Sequence, residues 1–265
     1  MNRLNIFLVC IFLFSCSKEA TPQEEPKLFT SCEEMLDVSG MKLFKFEPMK
    51  PDESTITQRQ IPEDFLRGMT TKDILYQISR LDDGIALTIS MYSYESRGNF
   101  LDYIQRFNVC VEFLKRTDAP HVLLQILQRM DPTFVRMEDE YQGKEPFVDC
   151  YFFYQCVQAL ATHPNIIGRM TEEEVNLYIK VQIRLYNTIR DMEKIEKGLI
   201  FPQSMGLGLY GLCKIMLRYK FEPLLQLMED DLNIGYCLKN DLFPPQRDGD
   251  GGIWIIELIE QFNKR

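Results

Sequence analysis

The segment "TEEEVNLYIKVQIRLYNTIRDMEKIEKG" (171–198) decides the fold class, because it is long and amphipathic. Thr171 and Glu174 have the spacing of a capping box, in which a hydroxyl and a carboxylate satisfy the amides of a first helical turn. Gly198 is a residue type that commonly ends helices. Side chains at intervals of three and four form one stripe, namely Val175, Ile179, Gln182, Tyr186 and Ile189, flanked by Tyr178, Leu185 and Met192. This period predicts one long helix with a single buried face.

The same period continues on both sides of this segment. Towards the carboxyl end it predicts helices over 204–219, 222–231 and 252–264. Towards the amino end, "PFVDCYFFYQCVQALATHP" (146–164) is apolar nearly all round, which is typical of a helix buried on most sides. Before it, a helix starts at "TDAP", with Asp118 as its cap and with a face made of Leu123, Ile126, Leu127 and Met130.

One further helix face is predicted from the spacing of Phe100, Ile104, Phe107, Val111 and Leu114. No segment alternates with period two over more than a few residues. The chain is therefore predicted to be all-α. Antiparallel helix pairs joined by short loops would stack as a curved array or as a compact multi-helix bundle.

An internal similarity connects two parts of the chain. "RGMTTKDILYQI" (67–78) and "GRMTEEEVNLYI" (168–179) both contain Met-Thr followed by an acidic and then an apolar residue, 101 positions apart. Thr70 and Asp73 have the same capping-box spacing as Thr171 and Glu174. Two interpretations stay open, either two independent helix caps or a duplicated pair of helical modules.

Residues 1–15 are predicted to be an export signal. Arg3 provides a positive charge, and "IFLVCIFLF" (6–14) is an apolar run too short to span a bilayer. The run ends in Leu13-Phe14-Ser15-Cys16, which resembles a bacterial lipobox. The resemblance implies cleavage before Cys16 and acyl chains, palmitate among them, on this cysteine, which together form a stable membrane anchor. The alternative is an ordinary secretory signal in which Cys16 has no role.

Residues 16–30 are expected to form the lipidated cysteine and a flexible linker. "SKEATPQEEPK" (17–27) has two prolines, three glutamates and no large apolar residue, so it cannot bury itself. Its first residues, Ser17-Lys18-Glu19, are similar to the short charged signal of surface-exported lipoproteins of the Bacteroidota. This favours an outer membrane lipoprotein that faces outward over one that faces the periplasm. Residues 31–265 would be the helical domain, either undivided or as two halves of about 55–131 and 146–265.

Six cysteines remain beyond the signal and the anchor, and we interpret them as core thiols. Four of them stand among apolar neighbours in helical patterns, as small buried hydrophobic residues do. A chain with an ample core does not need disulfides for stability. Cys150 and Cys156 are six residues apart on one predicted helix, too far for a bond. No C-x-x-C occurs, so zinc and thioredoxin-like chemistry have no support.

Two segments together resemble a known group of proteins. "RQIPEDFLRGMTTKDILYQI" (59–78), followed by "FNVCVEFLKRTDAPHVLLQILQRMDP" (107–132), is similar to an uncharacterised family of helical lipoproteins from Bacteroidota. Relatives carry Asn-Tyr-Pro where this chain has Arg80-Leu81-Asp82. The resemblance implies a helical fold and an envelope location, and it supplies no catalytic residue.

Several motifs are weak candidates for chemistry. "GLGLYG" (206–211) satisfies G-x-G-x-x-G but lacks a convincing strand before it, so its glycines more simply allow close helix packing. "DGDGG" (248–252) fails the ligand pattern of an EF-hand. The two histidines, His121 and His163, have no metal ligand at helical spacing, and His163 is expected at a helix end, where a cation suits the helix dipole. We therefore predict no metal, no cofactor and no catalytic residue.

The net charge of −9 disfavours binding to nucleic acid. "ISMYSYESRGNFLDY" (89–103) places aromatic among polar residues, so Tyr92, Tyr94 and Arg97 are candidate binding residues. The first functional hypothesis is a lipid-anchored, non-enzymatic binding module with an unknown protein or glycan partner. The alternative is an envelope hydrolase with converging carboxylates, drawn for example from "MEDEY" (137–141) and "TEEE" (171–174). A subunit of an envelope complex without its own ligand is a third option.

Overall fold

The computed structural model describes residues 40–48, 55–81, 104–130, 156–195, 203–240 and 252–264. These ranges contain helices and no β-strand, which confirms the all-α prediction. In chain order the helices are α1 Thr55–Gln58, α2 Glu63–Arg67, α3 Thr71–Ser79, α4 Asn108–Lys115, α5 Ala119–Arg129, α6 described over 156–161, α7 Pro164–Ile167, α8 Glu172–Ile195, α9 Gln203–Arg218, α10 Glu222–Asp230, α11 Leu232–Lys239 and α12 Ile253–Phe262.

Both predicted capping boxes are present. Thr70 Oγ1 accepts from the Asp73 amide at 3.1 Å, and the Asp73 carboxylate accepts from the Thr70 amide at 2.9 Å. The same two bonds join Thr171 and Glu174, at 3.2 and 2.9 Å. Because each box satisfies two first-turn donors, it fixes the start of α3 and of α8.

The core runs through the helices from both halves of the chain. The predicted stripe of α8 is buried, including Gln182 among its apolar members, and the predicted face of α5 is buried as well. Helix α8 packs against α5 on one side and α9 on the other, and α3 packs against α4 and α5. One continuous hydrophobic cluster results, as the 3.6-residue period predicts.

Two helix starts differ from the prediction. Phe107 is extended, with φ −97° and ψ 121°, so α4 begins at Asn108 and buries Val109, Cys110, Phe113 and Leu114. Of the predicted face, Ile104, Phe107 and Leu114 are buried, Val111 is half-buried, and Phe100 lies outside the described residues. Asp118 precedes α5, but its carboxylate does not cap that helix. It accepts a hydrogen bond from Thr71 Oγ1 at 2.7 Å and so connects the starts of α3 and α5.

The glycines of "GLGLYG" allow α9 to approach α8 closely. A Cβ atom on Gly208 would overlap the Gln182 side-chain amide, and one on Gly211 would overlap the Tyr178 hydroxyl. The motif lies inside α9, so it is not a phosphate-binding loop between a strand and a helix. This confirms close packing as its role.

Arginine side chains connect helix pairs that lie about fifty residues apart in sequence. Arg169 donates to the carbonyls of Leu114, Lys115 and Arg116 at 2.9 to 3.3 Å, where α4 ends. Three further arginines make equivalent contacts with carbonyls at the ends of earlier helices, namely Arg116 with Leu66, Arg184 with Leu127, Gln128 and Met130, and Arg218 with Ile167 and Met170. A guanidinium at a helix carboxyl end satisfies free carbonyls and complements the helix dipole. These repeated contacts hold the pairs in one stack.

Residues 41–48, which we call the strap, lie against the first three helices. The Phe44 amide donates to Gln77 Oε1 at 2.7 Å on α3. The Phe44 ring packs edge-on against Phe65 of α2, with centroids 5.3 Å apart. Arg59 lies over the Phe46 ring and donates to the Glu47 carbonyl at 3.3 Å. The strap therefore joins the segment that precedes it in sequence to the start of the helical stack.

At the other end of the stack, α10 and α12 both pack on α9. Gly252 precedes α12 with φ +86°, a left-handed conformation that strongly favours glycine. A Cβ atom there would also overlap the Leu209 side chain of α9. Gly252 thereby allows α12 to begin close against α9.

Candidate functional site

A groove of about 330 Å³ lies between α10 and α12. Each helix contributes four residues at the spacing i, i+3, i+4 and i+7, which keeps them on one face over two turns. The lining residues are Pro223, Gln226, Leu227 and Asp230 from α10, and Trp254, Glu257, Leu258 and Gln261 from α12. Helices rather than loops hold these side chains, so the groove is preformed by the packing of both helices on α9.

The groove combines an apolar base with polar walls. Leu227 and Leu258 are half-buried, whereas Asp230 and Glu257 are exposed, as are the glutamines of the lining. Gln226 Nε2 donates to the Asp230 carboxylate at 3.0 Å, one turn further along α10, which leaves the Gln226 Oε1 atom as an acceptor. A ligand here meets apolar contact, amide donors and acceptors, and two carboxylates.

Trp254 has an unsatisfied donor at this site. It is the single tryptophan of the chain, it lines the groove, and it is only 7% exposed. Its indole N–H contacts no acceptor among the described residues. A buried N–H group without a partner costs free energy, so the groove gains from a ligand that brings an acceptor.

The charged residues of the two groove helices are all acidic, although Lys220 and Lys264 lie just outside these helices. Helix α10 contains Glu222, Glu229 and Asp230, helix α12 contains Glu257 and Glu260, and neither helix contains a lysine or an arginine. Such a surface attracts cationic groups and repels anionic ones, at a range set by the ionic strength.

The two carboxylates that line the groove, Asp230 and Glu257, differ in environment from a typical general acid. General acid catalysis at neutral pH needs a carboxyl group whose proton is retained by burial or by a close anionic neighbour. Asp230 and Glu257 are exposed to water. Within the described ranges the one buried carboxylate is Asp73, and the capping box of α3 uses it. Glu172 and Glu173 are exposed first-turn acids of α8.

The histidines have structural positions. His121 is exposed on α5 and lies 3.0 Å from Gln125 Nε2. His163 is buried at the start of α7, and its Nδ1 atom accepts from the Asn165 amide at 3.1 Å. His163 lies at a helix end, as predicted, between α6 and α7. It is not a cation there, because an Nδ1 atom that accepts a hydrogen bond is unprotonated. The described ranges hold no group of three or more potential metal ligands.

The described thiols are reduced and mostly enclosed. Cys110 and Cys213 are buried, and Cys156 and Cys237 are partly buried, with no disulfide among these four. Burial raises the pKa of Cys156 to about 12, and it also raises the pKa of the Cys110 and Cys213 thiols. Protonated thiols are weak nucleophiles, so these three behave as core residues. Cys32 and Cys150 lie outside the described residues.

The binding residues proposed from sequence, Tyr92, Tyr94 and Arg97, lie outside the described residues, as does Cys16. The same holds for "MEDEY" (137–141) and for Asp248 and Asp250. The groove itself was missed, because its two walls come from helices separated by α11 and by a further segment of chain. The sequence signal that could have indicated the groove is that the charged residues of α10 and α12 are all acidic.

None of the helices in the described ranges is both long and apolar enough to cross a bilayer. In comparisons with known proteins, no family model, no curated protein and no solved structure matches this chain.

Proposed function

We propose that this protein is a non-enzymatic binding module of the cell envelope, anchored by a lipid on Cys16 and displayed outward from an outer membrane of the Bacteroidota type. The α10–α12 groove is its ligand-binding surface. One observation carries the binding role, namely that Trp254 lines the groove while its buried indole N–H has no hydrogen-bond partner in the part of the chain that the structure describes. A ligand carbonyl or hydroxyl would complete this hydrogen bond.

The size and construction of the groove support this role. Its volume of about 330 Å³ falls at the lower end of ligand sites, which span about 300–1,000 Å³. Rigid helices position the lining side chains, which reduces the entropy lost on binding. Tyr92, Tyr94 and Arg97, which lie outside the described residues, stay candidate binding residues from sequence alone.

The second candidate function is an envelope hydrolase that uses Asp230 and Glu257, since these carboxylates line one groove from opposite helices. Their exposure favours binding over acid–base catalysis. Hydrolysis of a cell-envelope glycan or peptide by the wild-type chain, abolished in Glu257→Gln, would support the hydrolase.

The anchor is tested by comparing wild type with Cys16→Ala in cells fed an alkyne-labelled palmitate. We expect label and membrane attachment in the wild type and neither in the variant. Protease treatment of intact cells then reports the orientation. Digestion of the helical domain, while a periplasmic control survives, supports outward display. An unlabelled wild type that stays on the membrane would contradict the lipid anchor.

A further inference from the structure

We infer that the α10–α12 groove takes a short, extended segment of a partner protein that carries lysine or arginine side chains next to small apolar ones. This inference rests on the proposed function, because it names the ligand class of the same groove. Three observations favour a cationic peptide, namely the charge of the walls, the free indole N–H and the apolar base.

The walls select for positive charge. Five acidic residues and no basic residue lie on α10 and α12, and Asp230 and Glu257 line the groove itself. Electrostatic complementarity of this kind accelerates association and excludes anionic ligands. A neutral ligand would leave both lining carboxylates without a cation, and an anionic ligand would meet repulsion.

The indole N–H indicates the backbone conformation of the ligand. Trp254 lines the groove and its buried indole N–H has no acceptor among the described residues, so a ligand that supplies one has to reach the indole ring. Carbonyls inside a helix are already bonded to their own amides, whereas an extended segment keeps its carbonyls available. An extended peptide can therefore accept from Trp254 while its lysine side chains reach Asp230 and Glu257.

The base of the groove suits small apolar side chains. Leu227 and Leu258 are half-buried, and Pro223 adds a rigid apolar wall. Alternate side chains of an extended segment point in opposite directions, so cationic and apolar residues in alternation would match walls and base. A bare divalent cation is a poorer fit, because no cluster of three potential metal ligands occurs in the ranges that the structure describes.

The single tryptophan provides the measurement, since any change in its fluorescence reports on the groove. We would titrate the full chain, in a nonionic detergent, with a capped peptide of alternating lysine and valine. The same peptide with glutamate in place of lysine and the neutral glycan maltotriose are the comparison probes. We expect only the lysine peptide to change Trp254 emission, with an affinity that falls as salt rises.

Two matched double variants distinguish the effect of the groove carboxylates from the effect of the acidic surface as a whole. The double variant Asp230→Asn, Glu257→Gln should bind the lysine peptide with about tenfold lower affinity, because both lining charges are removed. Glu172→Gln with Glu173→Gln removes the same charge from the exposed first turn of α8 and should change the affinity less than about twofold. Equal losses in the two double variants would overturn the inference. Circular dichroism of both variants verifies that they are folded.

The outcomes distinguish the partner class from the function. If maltotriose changes the emission and the lysine peptide does not, the peptide inference is overturned, while the proposed binding function is supported. If no probe changes the emission, the inference of a cationic peptide ligand is overturned. The proposed binding function then also lacks support from a peptide or a glycan. In Trp254→Phe, calorimetry replaces fluorescence. We expect weaker binding of the lysine peptide, and an unchanged affinity would overturn the carbonyl contact to the indole.

Discussion

Gln158 and Gln182 form two reciprocal hydrogen bonds within the core. Gln158 Nε2 donates to Gln182 Oε1 at 3.2 Å, and Gln182 Nε2 donates to Gln158 Oε1 at 2.9 Å. Both residues are buried, on α6 and on α8, and Gly208 of α9 lies against the pair. Because a buried amide needs partners, this pair favours one register of α6 against α8.

Gln182→Leu should lower the free energy of unfolding by about 1–3 kcal/mol, since it removes the partner of a buried amide. The double variant Gln158→Leu, Gln182→Leu should lose less unfolding free energy than the sum of the two single variants, because neither amide is then left without its partner. Urea unfolding followed by circular dichroism measures both. Simple additivity of the two losses would show that the pair does not act as a unit.

Gly211→Ala should lower the free energy of unfolding by about 1–3 kcal/mol, although alanine favours helices, because the added Cβ overlaps the Tyr178 hydroxyl. Tyr178→Phe removes that oxygen atom and should recover part of the loss when it is combined with Gly211→Ala. Thermal unfolding of the four proteins gives the coupling. A double variant with no recovery would contradict the overlap.

Arg169→Met should lower the free energy of unfolding by about 1–2 kcal/mol, because several helix-end carbonyls lose a charged donor. Arg67→Met is the matched control. Arg67 pairs with Asp64 on the surface, where both side chains are highly exposed, and such pairs contribute little. Chemical unfolding of both variants tests the difference, and equal losses would refute the role assigned to Arg169.

Thiol alkylation at pH 8 should be fastest at Cys237 among the four described cysteines. Burial and then Asp231 raise the pKa of Cys237, but the residue is partly exposed, whereas Cys110 and Cys213 are buried and burial raises the pKa of the partly buried Cys156 to about 12. Iodoacetamide labelling followed by peptide mapping measures each rate. Full labelling of all four in denaturant is the control. Rapid native labelling of Cys213 would contradict its burial.

Alkaline pH should destabilise the fold through Cys156. Its folded pKa of about 12 lies above the ordinary value of 9.0, so the folded state retains a proton that the unfolded state loses. The associated stability is complete below about pH 9 and is lost as pH rises from about 9 to 12. Cys156→Ala should lessen this alkaline loss, and urea midpoints at pH 8 and pH 10 measure it. An identical pH dependence in the variant would contradict this assignment.

Local sequence patterns were sufficient to predict the helices whose buried face and caps are regular. Helix α8 was predicted over 171–198 and spans Glu172–Ile195, and α9 was predicted over 204–219 and spans Gln203–Arg218. The capping boxes were predictable because hydroxyl and carboxylate lie three residues apart in the same turn. These are short-range properties, which sequence reasoning captures well.

Other features depend on contacts distant in sequence. Helix α11 was not predicted, because its apolar residues lie on both faces: Leu232 and Tyr236 are 81% and 63% exposed, whereas Ile234 and Leu238 are buried. The hydrogen bond from Thr71 to Asp118 joins residues 47 positions apart, and no local pattern distinguishes it from a cap. The groove likewise depends on how α10 and α12 meet on α9.

The strap has a consequence for how the molecule is presented. It is bonded to α3, and helix contacts then lead from α3 through α5, α8 and α9 to α10 and α12. Under the proposed lipid anchor on Cys16, the strap is the described part of the domain that follows the anchor most closely in sequence. A ligand in the groove would then connect to the anchored end only through the successive contacts of α3 with α5, α5 with α8, α8 with α9, and α9 with α10 and α12.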